Sequence, residues 1–147
     1  MSFKKLETKG WIEKIPVDKK EVENLFKVVE RDIKVSQKLI SIDLDWAFNL
    51  AYNSLLQASF ALMKALGYRA RGATHKVAIA FLREVLPQKD SRKIILLDRA
   101  RQKRRQATYV LPGAVSETEA ESLIRLAKKF SGELKQLSVK QIKKKSK

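Results

Sequence analysis

Apolar residues recur at three- and four-residue intervals along five stretches of this chain, and proline, glycine and capping residues punctuate the gaps between them. The first stretch runs from about Asp18 to Leu39. Val22, Leu25, Val29, Ile33 and Leu39 share one face, and Asp18 with Glu21 forms a capping-box-like start. The second runs from about Asp43 to Leu66 and stops at Gly67, a residue suited to a left-handed cap. It is apolar nearly all round, through Leu44, Trp46, Phe48, Leu50, Leu55, Leu56, Phe60 and Leu62, which predicts a central helix. Its polar residues Asp45, Asn49, Asn53, Gln57 and Lys64 fall within about a third of the circumference.

A third helix is predicted from Thr74 to just before Pro87, and a fourth from Asp90 to just before Pro112 and Gly113. The fifth starts at Ser116, with Glu119 completing a second capping box, and runs to about Leu137. Its apolar face is Ala120, Leu123, Leu126, Ala127, Phe130 and Leu134. No segment alternates apolar and polar residues for long enough to argue a sheet. Short links between long helices predict an all-α fold, an up-and-down antiparallel bundle of four to five helices.

The ends differ from the middle. Residues 1–16 form an irregular basic arm, with Trp11 and Ile12 as its expected anchors. Residues 17–138 make the bundle, and residues 139–147 a lysine-rich tail expected to be disordered. There is no internal repeat.

Charge changes the picture. The 147 residues carry a formal net charge of +16, a balance that favours nucleic acid, nucleotides or another acidic partner. The chain contains no cysteine and one histidine, His75. That excludes a disulfide framework and argues against a single-chain zinc site, so neither metal nor cofactor is predicted. No apolar run approaches a membrane span and the N-terminus is not that of a signal peptide, so no membrane contact and a cytoplasmic location are the expectations.

The fourth helix concentrates the candidate chemistry in Arg99, Arg101, Lys103, Arg104 and Arg105. At 100° per residue, Asp98, Gln102, Arg105 and Tyr109 line one stripe, while Leu96, Ala100, Ala107 and Leu111 line the opposite side. Arg104 falls at the edge of the apolar side. It either points into a cleft or subunit seam that holds an anion, or snorkels past the core edge. Arginine suits bidentate phosphate binding, and Tyr109, one turn after Arg105, can stack on a base. Arg101, Gln102, Arg104, Arg105 and Tyr109 are therefore the phosphate or nucleic-acid candidates. The alternative is a solvated amphipathic surface. A second candidate is the glycine-flanked turn at 67–75, with Arg69 and Arg71 ahead of a helix N-terminus; its alternative is a plain loop. His75, in the first turn of the third helix, reads as a polar cap or a contact under that turn. No P-loop, dinucleotide fingerprint or nucleophile elbow is present.

Several segments together resemble the HEPN family of small helical domains linked to nucleotide binding. They are KGWIEKIPVDKKEVENLFKVVERDI, AYNSLLQASFALMKALGYR, then His75 with Phe81 and Leu82, and DRARQKRRQATYV. The resemblance implies a bundle of four to five helices, usually a homodimer. It implies RNA or nucleotide binding, metal-independent ribonuclease activity in many members, and pairing with a minimal nucleotidyltransferase in toxin–antitoxin modules. The family's site is an arginine, a polar residue and a histidine within one short motif. Here Arg104 is followed after four residues by Tyr109, and Arg105 by Gln106 with no histidine in reach. Two functional expectations follow: a non-catalytic or weakly active nucleic-acid or nucleotide-binding dimeric subunit, or a ribonuclease toxin whose atypical site uses Arg104, Arg105 and Tyr109. A helical scaffold whose charge serves solubility is the third.

Overall fold

The computed structural model describes residues 3–109 and 111–145, with the side chains of 108, 109 and 145 outside the described set. The helices are α1 (Lys4–Thr8), α2 (Lys19–Leu39), α3 (Leu44–Ala65), α4 (Thr74–Val85), α5 (Ser91–Tyr109) and α6 (Glu117–Lys145). A one-turn 3-10 helix, Gln88–Asp90, leads into α5. The fold is an all-α bundle, and α3 lies at its centre, packed against α2, α4, α5 and α6.

The reason for that centre is the composition of α3. Ala47, Phe48, Ala51, Tyr52, Leu55, Leu56, Ala58, Ala61 and Leu62 are all buried, on every side but one. Small residues let the neighbouring helices approach closely, and the aromatic and leucine side chains fill the space between. α2 contributes Val22, Phe26, Val29 and Ile33, and α6 contributes Ala120, Leu123, Ile124, Ala127, Phe130 and Leu134. The polar stripe of α3 faces α2: Asn53 donates to the Asp32 carboxylate at 3.3 Å, and Lys64 pairs with Glu21. Those two links are eleven residues apart on each helix, which defines an antiparallel pair in constant register.

Helix starts follow their capping residues. Asp43 accepts from the Trp46 N–H at 3.0 Å, and Asp18 from the Glu21 N–H at 3.2 Å. The Glu21 carboxylate does not close a capping box, because it reaches Lys64 instead. At α6 the box is complete: Glu119 N–H donates to Ser116 Oγ at 3.1 Å, and Ser116 N–H donates to Glu119 Oε1 at 3.0 Å. That backbone donor is the main reason the Glu119 carboxyl sits below its ordinary pKa.

Three expectations are corrected. A small sheet exists: β1 (Ile12–Lys14) pairs antiparallel with β2 (Tyr68–Ala70), Ile12 opposite Ala70 and Glu13 opposite Arg69. The N-terminal arm is thus not irregular over residues 4–14, which hold α1 and β1. Leu6 of α1 and Ile12 of β1 are the anchors, buried with Met63, Val77 and Phe81, whereas Trp11 stays exposed with Lys9 over its ring. Strands of three residues are too short to leave an alternation signal. The third correction is the tail: α6 continues as helix to Lys145, because Ser138 is buried, its Oγ donates to the Leu134 carbonyl at 2.7 Å, and Ile142 packs against the core.

Candidate phosphate-binding site

Tyr52 on α3 is a large core side chain whose hydroxyl leaves the core toward a charged corner. Its ring is 1 % exposed, and its hydroxyl lies 2.9 Å from Nδ1 of His75, the second residue of α4. The two rings stack at 5.7 Å between centroids and 26° between planes. From α5, the Arg104 guanidinium sits over the same Tyr52 ring, 5.6 Å from its centroid. One tyrosine therefore fixes a histidine from α4 and an arginine from α5.

Asp98 organises the rest of the corner. It accepts from Arg101 Nε at 3.0 Å and pairs with Arg83 of α4 at 3.7 Å. Two guanidiniums, of Arg83 and Arg101, thus share one carboxylate, and a third, of Arg104, lies over the Tyr52 ring. Arg104 is half-buried and makes no ion pair among the described residues.

The two titratable groups respond to this setting in opposite directions. Burial pushes the Tyr52 phenol up to about 12, with Arg104 and Arg101 opposing and Asp98 assisting. Burial also lowers the pKa of His75, and the positive charges of Arg104 and Arg101 lower it further by repelling the imidazolium. The N-terminus of α4 acts in the same sense. At neutral pH the imidazole is neutral and the phenol protonated. The Tyr52–His75 hydrogen bond has two forms, and in the one where the phenol donates to Nδ1 the histidine proton sits on Nε2. In that form the corner offers two guanidiniums and an imidazole N–H, the donor set of a phosphate site.

His75 makes stability depend on pH in a definite direction. Its folded pKa lies below the unfolded value, so its contribution is complete above about pH 6.5 and is lost as pH falls through the depressed folded value. His75→Gln is expected to flatten the fall in melting temperature between about pH 7 and 5. A wild-type and variant pair with parallel pH profiles would contradict it.

The candidates read from sequence divide as follows. Arg101 and Arg104 belong to the corner. Gln102 and Arg105 are exposed on the outer face of α5. The Tyr109 side chain lies outside the described residues, and α5 ends at that position. Arg69 and Arg71 are both taken up by Glu13 of β1, Arg69 directly across the ladder and Arg71 at 3.8 Å. Tyr52, Arg83 and the contact made by His75 are what sequence reasoning missed. One signal was available: a tyrosine inside a helix that is otherwise core needs a partner for its hydroxyl.

Neither a family model nor a curated protein matches this sequence. Among the described residues there is no cluster of histidine and carboxylate side chains able to hold a metal ion, and no helix long and apolar enough to cross a membrane.

Proposed function

We propose that this chain is a HEPN-like, dimeric subunit that binds RNA or nucleotides through their phosphates at the corner formed by Arg101, Arg104 and His75. It is non-catalytic or weakly active, and works beside a minimal nucleotidyltransferase in a two-component module. The observation that carries the reading is Arg104, a half-buried guanidinium with no carboxylate partner among the described residues. Desolvating a cation is unfavourable unless an anion meets it. The second chain rests on the family resemblance and on Ile95, which is 46 % exposed on α5 while its neighbours Ile94 and Leu97 are core.

In this reading Arg104 and Arg101 each engage non-bridging phosphate oxygens, and the Nε2–H of His75 donates to a third. Asp98 keeps Arg101 ordered before the ligand arrives, which reduces the entropy lost on binding. Fluorescence anisotropy of a labelled single-stranded RNA tests it. Contact with about five phosphates gives a log–log salt slope of roughly −3 to −4. An affinity indifferent to salt would remove the charge argument.

One observation favours the second reading, a metal-independent ribonuclease: His75 and Arg104 both lie against the Tyr52 ring. There, the imidazolium form of His75, a minority at neutral pH, would protonate the leaving 5′-oxygen as the 2′-oxygen bonds to phosphorus and gives its own proton to solvent water, and Arg104 would stabilise the charge building on the phosphorus oxygens. At this corner the Asp98 carboxylate is engaged by Arg83 and Arg101 and Nδ1 of His75 by the Tyr52 hydroxyl, so no described side chain there is left as an unengaged base for the 2′-hydroxyl, and binding is the reading preferred. Cleavage in the presence of a chelator, leaving a 2′,3′-cyclic phosphate and lost in His75→Ala, would reverse that preference.

A further inference from the structure

We propose that the end of the α2–α3 seam nearest the turn between those helices is a docking surface for an acidic amphipathic helix of a partner protein. The antiparallel register places its residues. Seven positions beyond the Asp32–Asn53 link on each helix are Leu39 and Trp46, and three positions beyond it are Val35 and Leu50. Steps of three and seven return to the same helix face, so Asp32, Val35 and Leu39 share one face of α2, and Asn53, Leu50 and Trp46 one face of α3. Ile42 lies in the turn between them.

This surface is apolar and open. Ile42 is 74 % exposed, Trp46 64 % and Val35 40 %, while Leu39 and Leu50 on the same faces are half-buried. Isolated exposed apolar residues are ordinary, whereas a contiguous set containing a tryptophan marks an interface.

The charges at its edge choose the occupant. By helix geometry Arg31, Lys34 and Lys38 all lie on one side of Val35. Lys34 and Lys38 make no ion pair among the described residues, and Arg31 is shared with the buried Asp32. The nearby acids are engaged. Asp43 caps α3 through the Trp46 N–H, and Asp45 accepts from the backbone N–H groups of Gly113 and Val115 at 2.6 and 3.3 Å. An apolar strip with a cationic edge complements a helix that has one apolar and one acidic face. Aliphatic side chains at this density suit a protein partner better than a nucleic acid, whose interfaces are more polar. A second copy docked across a two-fold axis would set Lys34 and Lys38 against a like-charged edge.

Trp46 is a built-in reporter. The chain has two tryptophans, so Trp11→Phe leaves Trp46 alone. The probe is a synthetic helix of about five turns with leucines at i, i+3, i+4 and i+7 and glutamates elsewhere; the control replaces the glutamates with lysines. The acidic helix is expected to shift Trp46 emission to the blue and to saturate, and the lysine helix to leave it unchanged. Replacing both Lys34 and Lys38 by glutamate should weaken the acidic helix by at least about tenfold. Ile42→Asp should abolish its binding, with the melting temperature of this exposed-site variant unchanged. The proposal is overturned by no shift, or by equal shifts with both peptides. It is also overturned by a shift with protein concentration alone, which would mean a second copy, or by a shift with a single-stranded oligonucleotide that competes with the peptide.

Discussion

Arg104→Ala is expected to weaken binding of single-stranded RNA by about 10- to 100-fold, the loss of hydrogen bonds to a charged group worth about 1.5–3 kcal/mol. Arg105→Ala, one residue further along α5, is expected to change it by only about twofold, as a solvated surface charge does. The contrast follows from where each guanidinium is. Arg105 is exposed in a high-dielectric surround, whereas Arg104 is half-buried over Tyr52 and already partly desolvated. Arg104→Lys restores charge without the planar fork and should recover only part of the loss. Removing the contact with the Tyr52 ring costs about 0.5–2 kcal/mol of stability. That lowers the melting temperature by a few degrees and leaves the chain folded. Equal losses in Arg104→Ala and Arg105→Ala would mean that the RNA follows the outer face of α5 and not the corner.

The five long helices were legible because each satisfies one periodic rule over three turns or more, which the five-residue α1 cannot. α3 shows both the success and its limit. Its near-continuous apolar surface announced the centre of the bundle, yet Trp46 is 64 % exposed, because a residue one turn inside the helix start can lie beyond the end of its neighbours. The β1–β2 hairpin joins segments more than fifty residues apart through three residues on each side, too few to carry a pattern. The helical tail was hidden because its lysines resemble disordered sequence, and the buried Ser138 and half-buried Ile142 that hold it are spaced too widely to offset that composition.

The candidate site was legible on one helix and invisible across helices. Cation density on α5, and the position of Arg104 at the edge of its apolar side, were readable from helical geometry alone. The aromatic and imidazole partners were not. Tyr52 and His75 are 23 residues apart, on helices whose crossing sets their contact, and no local spacing encodes a crossing angle. The 98–109 stripe divides: Gln102 and Arg105 are exposed, while Asp98 pairs with Arg101 and with Arg83 of α4.

Substitutions of Tyr52 separate what the core needs from what the corner needs. Tyr52→Ala is expected to cost about 3–5 kcal/mol, because the ring is fully buried among α3, α4 and α5 and its removal leaves a cavity under Arg104. Against a total stability of about 5–15 kcal/mol for a domain, that is a large fraction, visible as a drop in the melting temperature of roughly 6–20 °C. Tyr52→Phe keeps the packing and removes only the hydroxyl, at a cost of about 0.5–1.5 kcal/mol. In that variant Nδ1 of His75 loses its donor, the imidazole is free to take either neutral tautomer, and RNA affinity should fall although the ring and the arginine contact persist. A pH titration supplies a second readout. The folded phenol titrates near 12 and the unfolded one near 10, so Tyr52 contributes fully below pH 10 and its contribution is lost as pH rises from 10 to 12. Wild-type stability should therefore fall more steeply across that window than that of Tyr52→Phe. Identical slopes would mean that the phenol is not desolvated in the folded chain. The geometry at His75 would then have no buried donor to fix its tautomer, and the imidazole N–H could not be counted among the phosphate ligands.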